Sequence, residues 1–412
     1  MATTVEQPAA ADALRAIEPL FSRIAPALPP VQFTGTTGAK YNMGAGQPDP
    51  ASLPRRELAE IVSELLLSDE GPTALMYGDA AGFVGLREAL ADKLRRGEGI
   101  DVSPDEVLIV NGSNHGLAVV AMTFVNPGDV AIVEAPTFMG GLRPLRQLQA
   151  RIETVPLDEH GVQVDALADK LRGLRSAGTP AKLFYTIPNF HNPAGVDLAL
   201  ERRRRVAELA DEFNFVILED DAYGELRFEG EPLPALFRLA SKGRVVRSAT
   251  LSKILAAGLR IGYVIAPSEV IARLNSLKLD GGASPFTNRV AARWLQRSHD
   301  THVPKLRDIY RRKRDALIRG LEQGFAGDEE VRPEWTVPRG GFFLWLHLPP
   351  HVDPTKVANE AGTRGVGYVP GTAFFADGSG SDYIRLAWSM LSEADLEAAG
   401  GLVAEAIKAA AR

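Results

Sequence analysis

The sequence predicts an α/β protein: a mainly parallel β-sheet sandwiched by helices, followed by a smaller α+β domain. Three observations lead there. Short β-rich runs alternate with helix-like segments from about residue 55 to 285, and strands connected through helices pair in parallel. After about residue 290 the pattern changes to a long charged helical stretch, an apolar run and a closing helix. The chain has 412 residues, which at roughly 100 to 200 residues per domain suits two lobes better than one core.

Residues 1 to about 30 begin Ala-rich and then give an apolar helical period through Leu14, Ile17, Leu20, Phe21 and Ile24, stopped by Pro26 and the Pro29-Pro30 pair. Such an arm has too little surface to fold alone and is expected to pack on another lobe or subunit. The β-rich runs are Val107 to Val110, Val130 to Val133, Leu183 to Ile187, Phe215 to Leu218, Val245 to Ser248 and Ile261 to Ala266. Ligands of open parallel sheets bind beyond the carboxyl ends of the strands. Four suggestive segments fall there: Gly112 to His115, Asn189 to Gly195, Asp220 to Tyr223 and Thr250 to Lys253. The second lobe reads as a helical stretch through Arg319, a strand over Gly341 to Leu346 and a helix from Ser392. The expected boundaries are an arm with part of the small domain over 1–50, a large domain over 51–285 and a small one over 286–412, with the ligand in the cleft between lobes.

Composition excludes several classes of function. Net charge is -6 with acids and bases interspersed, so no basic field draws nucleic acid or an anionic membrane. The runs 202–205 and 311–314 read as solvated helix faces. Cysteine is absent, which removes disulfides, thiolate nucleophiles and thiolate metal sites. Of the seven histidines, His347 and His351 stand at His-x-x-x-His spacing, but across Pro349-Pro350, which bars the helix that would put both on one face, so no metal is expected. Neither a signal-like start nor a membrane-length apolar run is seen, and the expectation is a cytoplasmic protein.

Ser248-Ala249-Thr250-Leu251-Ser252-Lys253, followed by Arg260, offers an amine, hydroxyls and a guanidinium in an order that suits a phosphate-bearing aldehyde. A lysine condenses with a carbonyl only after losing its proton, and a nearby cation lowers its pKa, each unit representing about 1.36 kcal/mol. The competing reading is a surface lysine after a strand. Asn111-Gly112-Ser113-Asn114-His115-Gly116 opens a helix, whose first amides favour an anion, or it is a structural turn. It lacks the Gly-x-Gly-x-x-Gly of a dinucleotide fold. Asp220-Asp221-Ala222-Tyr223 follows an apolar strand. A carboxylate there can keep a heteroaromatic nitrogen protonated, or it caps a helix. In the turn-rich segment from Tyr185 to Gly195, Asn192 could donate to a phenolic oxygen. Arg385, alone in the apolar run Tyr383 to Ser389, needs an anion: a substrate carboxylate or a protein acid.

Together these residues resemble the class I/II aminotransferases of pyridoxal-phosphate (PLP) fold type I, especially the branch holding aminoadipate and kynurenine aminotransferases and the effector domains of MocR-type regulators. The resemblance runs from about residue 40 to the end. It includes Gly46-Gln47-Pro48-Asp49, Tyr77 with Gly82 and Leu86-Arg87, Pro127-Gly128-Asp129, Glu134-Ala135-Pro136-Thr137-Phe138 and Gly340-Gly341-Phe342-Phe343-Leu344-Trp345. It implies a seven-stranded sheet and a homodimer with shared active sites. Lys253 would carry the Schiff base and then act as general base. Asp220 would pair with the pyridine nitrogen, and Tyr223 and Asn192 would bind the ring oxygen. Ser113, Asn114, Thr250, Ser252 and Arg260 would hold the phosphate, Phe138 would stack on the ring, and Tyr77 would reach in from the neighbouring subunit. Arg385 would clamp the substrate α-carboxylate, helped by Gly46 and Asn192.

Three positions depart from that pattern. Gly112-Ser113-Asn114-His115 stands where the branch usually reads Gly-Ser-Gln-Gln, His191-Asn192-Pro193-Ala194-Gly195 stands for Gln-Asn-Pro-Thr-Gly, and Phe138 replaces a frequent tyrosine. His115 and His191 are therefore either acid–base groups or packing. The implied reaction is transamination between an α-amino acid and a 2-oxo acid. Its rival is elimination, replacement, cyclisation or carbon–carbon bond formation on the same scaffold, since a fold does not fix the fate of the electrons. A ligand-sensing regulator is disfavoured, because the forty residues before the motifs are too few and not basic enough for a winged helix.

Overall fold

The computed structural model describes residues 17–25 and 38–412. Two compact units divide the chain, 1–33 and 34–412. In the first, the described residues hold one 3-10 turn, Glu18–Leu20, closed by the Phe21 N–H on the Glu18 carbonyl at 3.2 Å. The helical period expected through Ile24 stops at Phe21, whose backbone is extended. An amphipathic period alone leaves so short a segment marginal. Leu14 lies outside the described residues.

The second unit is built on an eight-stranded sheet. Its order is Val107–Val110, Gly262–Ile265, Val245–Thr250, Val216–Asp221, Ala181–Thr186, Val130–Ala135, Arg151–Asp158 and Gly161–Val162. Six strands share one direction, and Gly262–Ile265 and Gly161–Val162 run against them. The last two strands in this order were not legible in the sequence. Charged Arg151, Glu153 and Asp158 interrupt the apolar pattern near the sheet edge, where Val155 alone of that strand is fully buried. The seven strands implied by the resemblance are present, with Gly161–Val162 as a short eighth.

Helices cover both faces because consecutive strand residues point opposite ways. Ala131 and Val133 face a core with Leu117 and Val120 of Ser113–Phe124 and Leu142 and Leu145 of Met139–Gln147. Val130 and Ile132 face a second core with Leu167 and Leu171 of Val164–Ser176 and Val206 and Leu209 of Leu200–Phe213. Each buried Val, Leu or Ile among these contributes about 1.5 to 3 kcal/mol, so the sheet edge that carries the polar loops is rigidly placed.

A smaller antiparallel sheet orders Glu334–Trp335, Phe343–His347, Tyr383–Ala387 and Val369–Pro370. Helices His299–Gly324 and Glu393–Ala410 pack on each other beside it. A strap from residue 41 to 49 binds this region: Tyr41–Asn42 pairs in parallel with Val366–Gly367, and the Ala387 N–H donates to the Met43 carbonyl at 2.8 Å. Farther along, Asp49 pairs with Lys313 at 2.9 Å, and its N–H donates to the Tyr310 hydroxyl at 3.0 Å. Among the described residues no helix is long and apolar enough to cross a membrane.

Buried ion pairs run from the sheet to the surface: Asp221 to Arg247, Arg247 to Glu98 at 2.6 Å, Glu98 to Lys93 at 3.5 Å, Lys93 to Glu225 at 2.8 Å and Glu225 to His299 at 2.6 Å. Burial opposes a charged His299, but the Glu225 and Asp300 carboxylates outweigh it and raise its pKa. A folded-state pKa above the unfolded value stabilises fully below about pH 6.5 and is lost as pH rises through the folded value. Tm is therefore expected to fall as pH rises above about 6.5, by roughly 1 to 2 °C per kcal/mol at this length. His299→Gln should flatten that limb, and an unchanged limb would refute the assignment.

Candidate active site

Asp220 and Asp221 end strand Val216–Asp221, and the backbone divides their duties. Asp221 accepts from Asn189 Nδ2 at 3.0 Å and from the Gly224 N–H at 2.9 Å, while Arg247 pairs with its other oxygen. Burial opposes its charge, yet Arg247 and Asn189 hold its pKa below the ordinary value. Asp221 thus serves the structure, tying the loop at Gly224 and Asn189 to the strand end. Asp220 is also buried, but only Oδ2 is engaged, accepting from the Tyr185 hydroxyl at 2.8 Å; Oδ1 has no hydrogen-bond partner. Burial, with Asp221 nearby, pushes its pKa up to about 7 despite the Tyr185 bond and Lys253. A buried carboxylate oxygen without a donor is costly. It fits the protonated nitrogen of a pyridine ring.

Lys253 follows strand Val245–Thr250 and is half-buried. Its Nζ donates to the Gly46 carbonyl at 2.8 Å and lies 5.7 Å from the Tyr223 ring centre. Burial, then Arg385, then Arg260 bring its pKa down to about 8, with Asp220 opposing. Tyr223 is buried and its hydroxyl pKa is raised by that burial. The strap thus delivers Gly46 to the lysine.

Arg385 is buried on strand Tyr383–Ala387. Nη1 donates to Asn192 Oδ1 at 3.0 Å, Nη2 donates to the Gly44 carbonyl at 2.6 Å, and Nε is unpartnered. The Phe343 and Phe374 rings lie 4.2 and 4.8 Å from its guanidinium carbon. Among the described residues no carboxylate pairs with it, and burial pulls its pKa down to about 10. Among the described residues the protein-acid alternative thus finds no partner, and the guanidinium is shaped for a carboxylate. Arg385→Gln is expected to lower kcat/KM for carboxylate substrates by roughly 30-fold or more, mostly through KM, as the loss of one partner of a buried charge pair does. An unchanged KM would remove the clamp role.

The remaining residues form a cup for an anion. Helix Ser113–Phe124 starts beside Arg260, and its first internal bond is from the His115 N–H to the Gly112 carbonyl at 3.1 Å, which puts the Ser113 and Asn114 amides at the open end. Glycine is required where these segments meet. A Cβ on Gly112, at φ +79°, would lie 2.3 Å from Arg260 Nη2, and one on Gly262 would lie 2.6 Å from the Ser113 nitrogen. Thr250 Oγ1 is 2.9 Å from Ser252 Oγ, both buried. Half-buried Phe138 begins the next helix beside Asn114: a Cβ on Gly140 would lie 2.3 Å from its ring and 3.0 Å from Asn114 Oδ1. Hydroxyls, helix amides and a guanidinium together suit a phosphate.

Tyr77 and His191 take contrasting positions. Tyr77 is fully exposed and touches none of these residues in its own chain. Buried His191 lies 3.0 Å through Nε2 from Glu134, which also accepts from the Thr186 hydroxyl and the Ile187 N–H. Its contacts therefore brace the Asn192 loop. The sequence did not single out Tyr185, Gly44, Glu134 or Phe374 for the site. Tyr185 and Glu134 carried one local signal, a polar group near the end of an apolar strand; Gly44 and Phe374, in a loop and a 3-10 turn, carried none.

The family model for "Aminotransferase class I and II" matches residues 39–400. The aromatic-amino-acid aminotransferase 1 of Thermococcus litoralis is 37% identical over 90% of this chain and 89% of its own. The structure of a Pyrococcus horikoshii kynurenine aminotransferase in complex with PMP superposes with TM-score 0.90 at 34% identity, covering 96% of this chain and 99% of that one. An α-aminoadipate aminotransferase from Thermus thermophilus, complexed with N-(5'-phosphopyridoxyl)-L-leucine, gives TM-score 0.85 at 29% identity over 95% and 98%. The chain belongs to the class I and II aminotransferases and is a PLP-dependent enzyme of fold type I.

Proposed function

We propose that this aminotransferase works through Lys253, Asp220 and Arg385, exchanging an amino group between an α-amino acid and a 2-oxo acid. PLP, when bound, supplies the aldehyde and the electron-withdrawing ring. Lys253 is the covalent anchor and then the base that moves the substrate Cα proton, a task suited to its lowered pKa. Asp220 holds the ring nitrogen protonated, Tyr223 and Asn192 bind the ring oxygen, and Phe138 covers the ring. Ser113, Asn114, Thr250, Ser252 and Arg260 take the phosphate, while Arg385, Asn192 and the backbone at Gly46 orient the substrate carboxylate. The observation that carries this reading is the partnerless Asp220 Oδ1, whose carboxylate acts electrostatically on Lys253.

The reading includes a cytoplasmic homodimer in which Tyr77 enters the partner's site. Its support is an exposed apolar surface at Leu67, Leu75, Met76 and Tyr77, with exposed Leu279 on a loop that passes close to Asp79 and Ala80. Location in the cytoplasm is supported by the cysteine-free, mixed-charge composition. The deciding experiment is single turnover of PLP-loaded protein with aromatic amino acids, kynurenine and α-aminoadipate, the substrates named for relatives. Conversion to pyridoxamine phosphate with one equivalent of 2-oxo acid is expected. Ammonia or another leaving group without pyridoxamine phosphate would overturn transamination in favour of elimination, a rival that no observation supports.

A further inference from the structure

Asn111, the residue before Gly112, is held at all three of its polar groups. Its N–H donates to His115 Nδ1 at 3.2 Å, its carboxamide donates to Asp280 Oδ2 at 2.6 Å, and its carbonyl accepts from Arg260 Nη2 at 3.4 Å. These bonds fix the turn that aims the Ser113 and Asn114 amides and the Arg260 side chain. The Asp280 carboxylate is set in turn by Lys278, 3.7 Å away, which also holds the Ala80 and Ile109 carbonyls at 2.6 and 2.8 Å. His115 Nδ1 lies only 3.5 Å from Asp280 Oδ2.

The ring nitrogen therefore faces two partners that demand opposite protonation states. A backbone N–H can donate to Nδ1 only when that nitrogen carries a lone pair, so the bond to Asn111 requires the neutral ring. A proton on Nδ1 would face the Asn111 N–H donor to donor and turn the ring toward the carboxylate. A cation in the first turn of a helix is also disfavoured by the helix dipole.

We propose that His115 and Asp280 are positioning residues of the phosphate cup, and that the neutral imidazole of His115 is the form that holds the cup ready for the cofactor. Among the described residues, Asp280 and Lys278 are the charged groups acting on the ring, and Arg260 reaches the same turn through Asn111. Burial lowers the His115 pKa, Asp280 opposes this and Lys278 adds to it, which keeps the ring neutral at neutral pH. The proposal rests on the assignment of the cup to the PLP phosphate.

The test is the Kd of PLP for the apoprotein, followed by tryptophan fluorescence from pH 8.5 to 5.5. Lys253 and the cofactor's own phosphate titrate in every variant, so the difference between variants isolates His115. His115→Gln, whose amide oxygen can accept from Asn111 without titrating, should bind tightly at pH 8. Wild-type Kd is expected to rise at least tenfold more than that of His115→Gln between pH 8 and 5.5. Asp280→Asn, lacking the carboxylate that favours the protonated ring, should move the wild-type transition to lower pH. Parallel profiles for wild type and His115→Gln, or no shift in Asp280→Asn, would overturn the proposal. Failure of wild-type protein to bind PLP at any pH would overturn the reading of the site itself.

Discussion

Lys253→Ala is expected to yield a folded protein that has lost its visible absorption with PLP and at least ~10⁴ of its transamination rate, the upper range for a single proton-transfer group. The size follows from two roles in one side chain. With its pKa brought down to about 8, about a quarter of Lys253 is neutral at pH 7.5, against about one part in a thousand for an ordinary lysine. No other lysine among the residues of the site can substitute. Stability should not suffer, because Lys253 is half-buried beside two cations, Arg385 and Arg260, and forms one hydrogen bond, to the Gly46 carbonyl. Loss of activity with an unchanged apoprotein melt separates chemistry from folding. A coloured, active Lys253→Ala protein would refute the anchor.

The candidate site residues were legible because each sits in a local pattern: Lys253 after hydroxyls, Asp220 at the end of an apolar strand, Arg385 alone in another. Residues that act through partners distant in sequence were not. Tyr185 and Asp220 meet because parallel strands bring Tyr185 opposite Leu218, a register that no local window shows. Arg247 was a charged residue inside an apolar run, a visible anomaly, but its partners Glu98 and Asp221 lie on a helix end and a neighbouring strand. Strand Arg151–Asp158 was missed for the converse reason: near the sheet edge it buries little and so reads as polar. Tyr77 was legible only through its motif, for its side chain is fully exposed and nothing within its own chain marks it.

Asp220→Asn and Asp221→Asn are expected to fail in opposite ways, although the two residues are adjacent, buried and isosteric in their replacements. In Asp220→Asn the new amide oxygen can still accept the Tyr185 hydroxyl, but the other terminus becomes a donor, which cannot keep a ring nitrogen protonated. The loss of that preorganised charge should appear as a fall in kcat of roughly 10² to 10³, about 2.7 to 4 kcal/mol. KM should change little because Arg385 still binds the substrate carboxylate. The apoprotein should melt no lower, since the wild-type carboxylate is buried with Oδ1 unpartnered and its pKa is pushed up to about 7. Asp221→Asn instead leaves buried Arg247 with Glu98 as its remaining ion-pair partner and replaces an acceptor of the Gly224 N–H. Breaking such a pair costs about 3 to 5 kcal/mol of stability, so its Tm should drop while the kcat of the surviving folded enzyme stays within an order of magnitude. Kinetics and melting curves of the two variants, measured side by side, decide the matter. If Asp221→Asn lost the greater share of kcat, or Asp220→Asn the greater share of stability, the division of labour between the two carboxylates would be wrong.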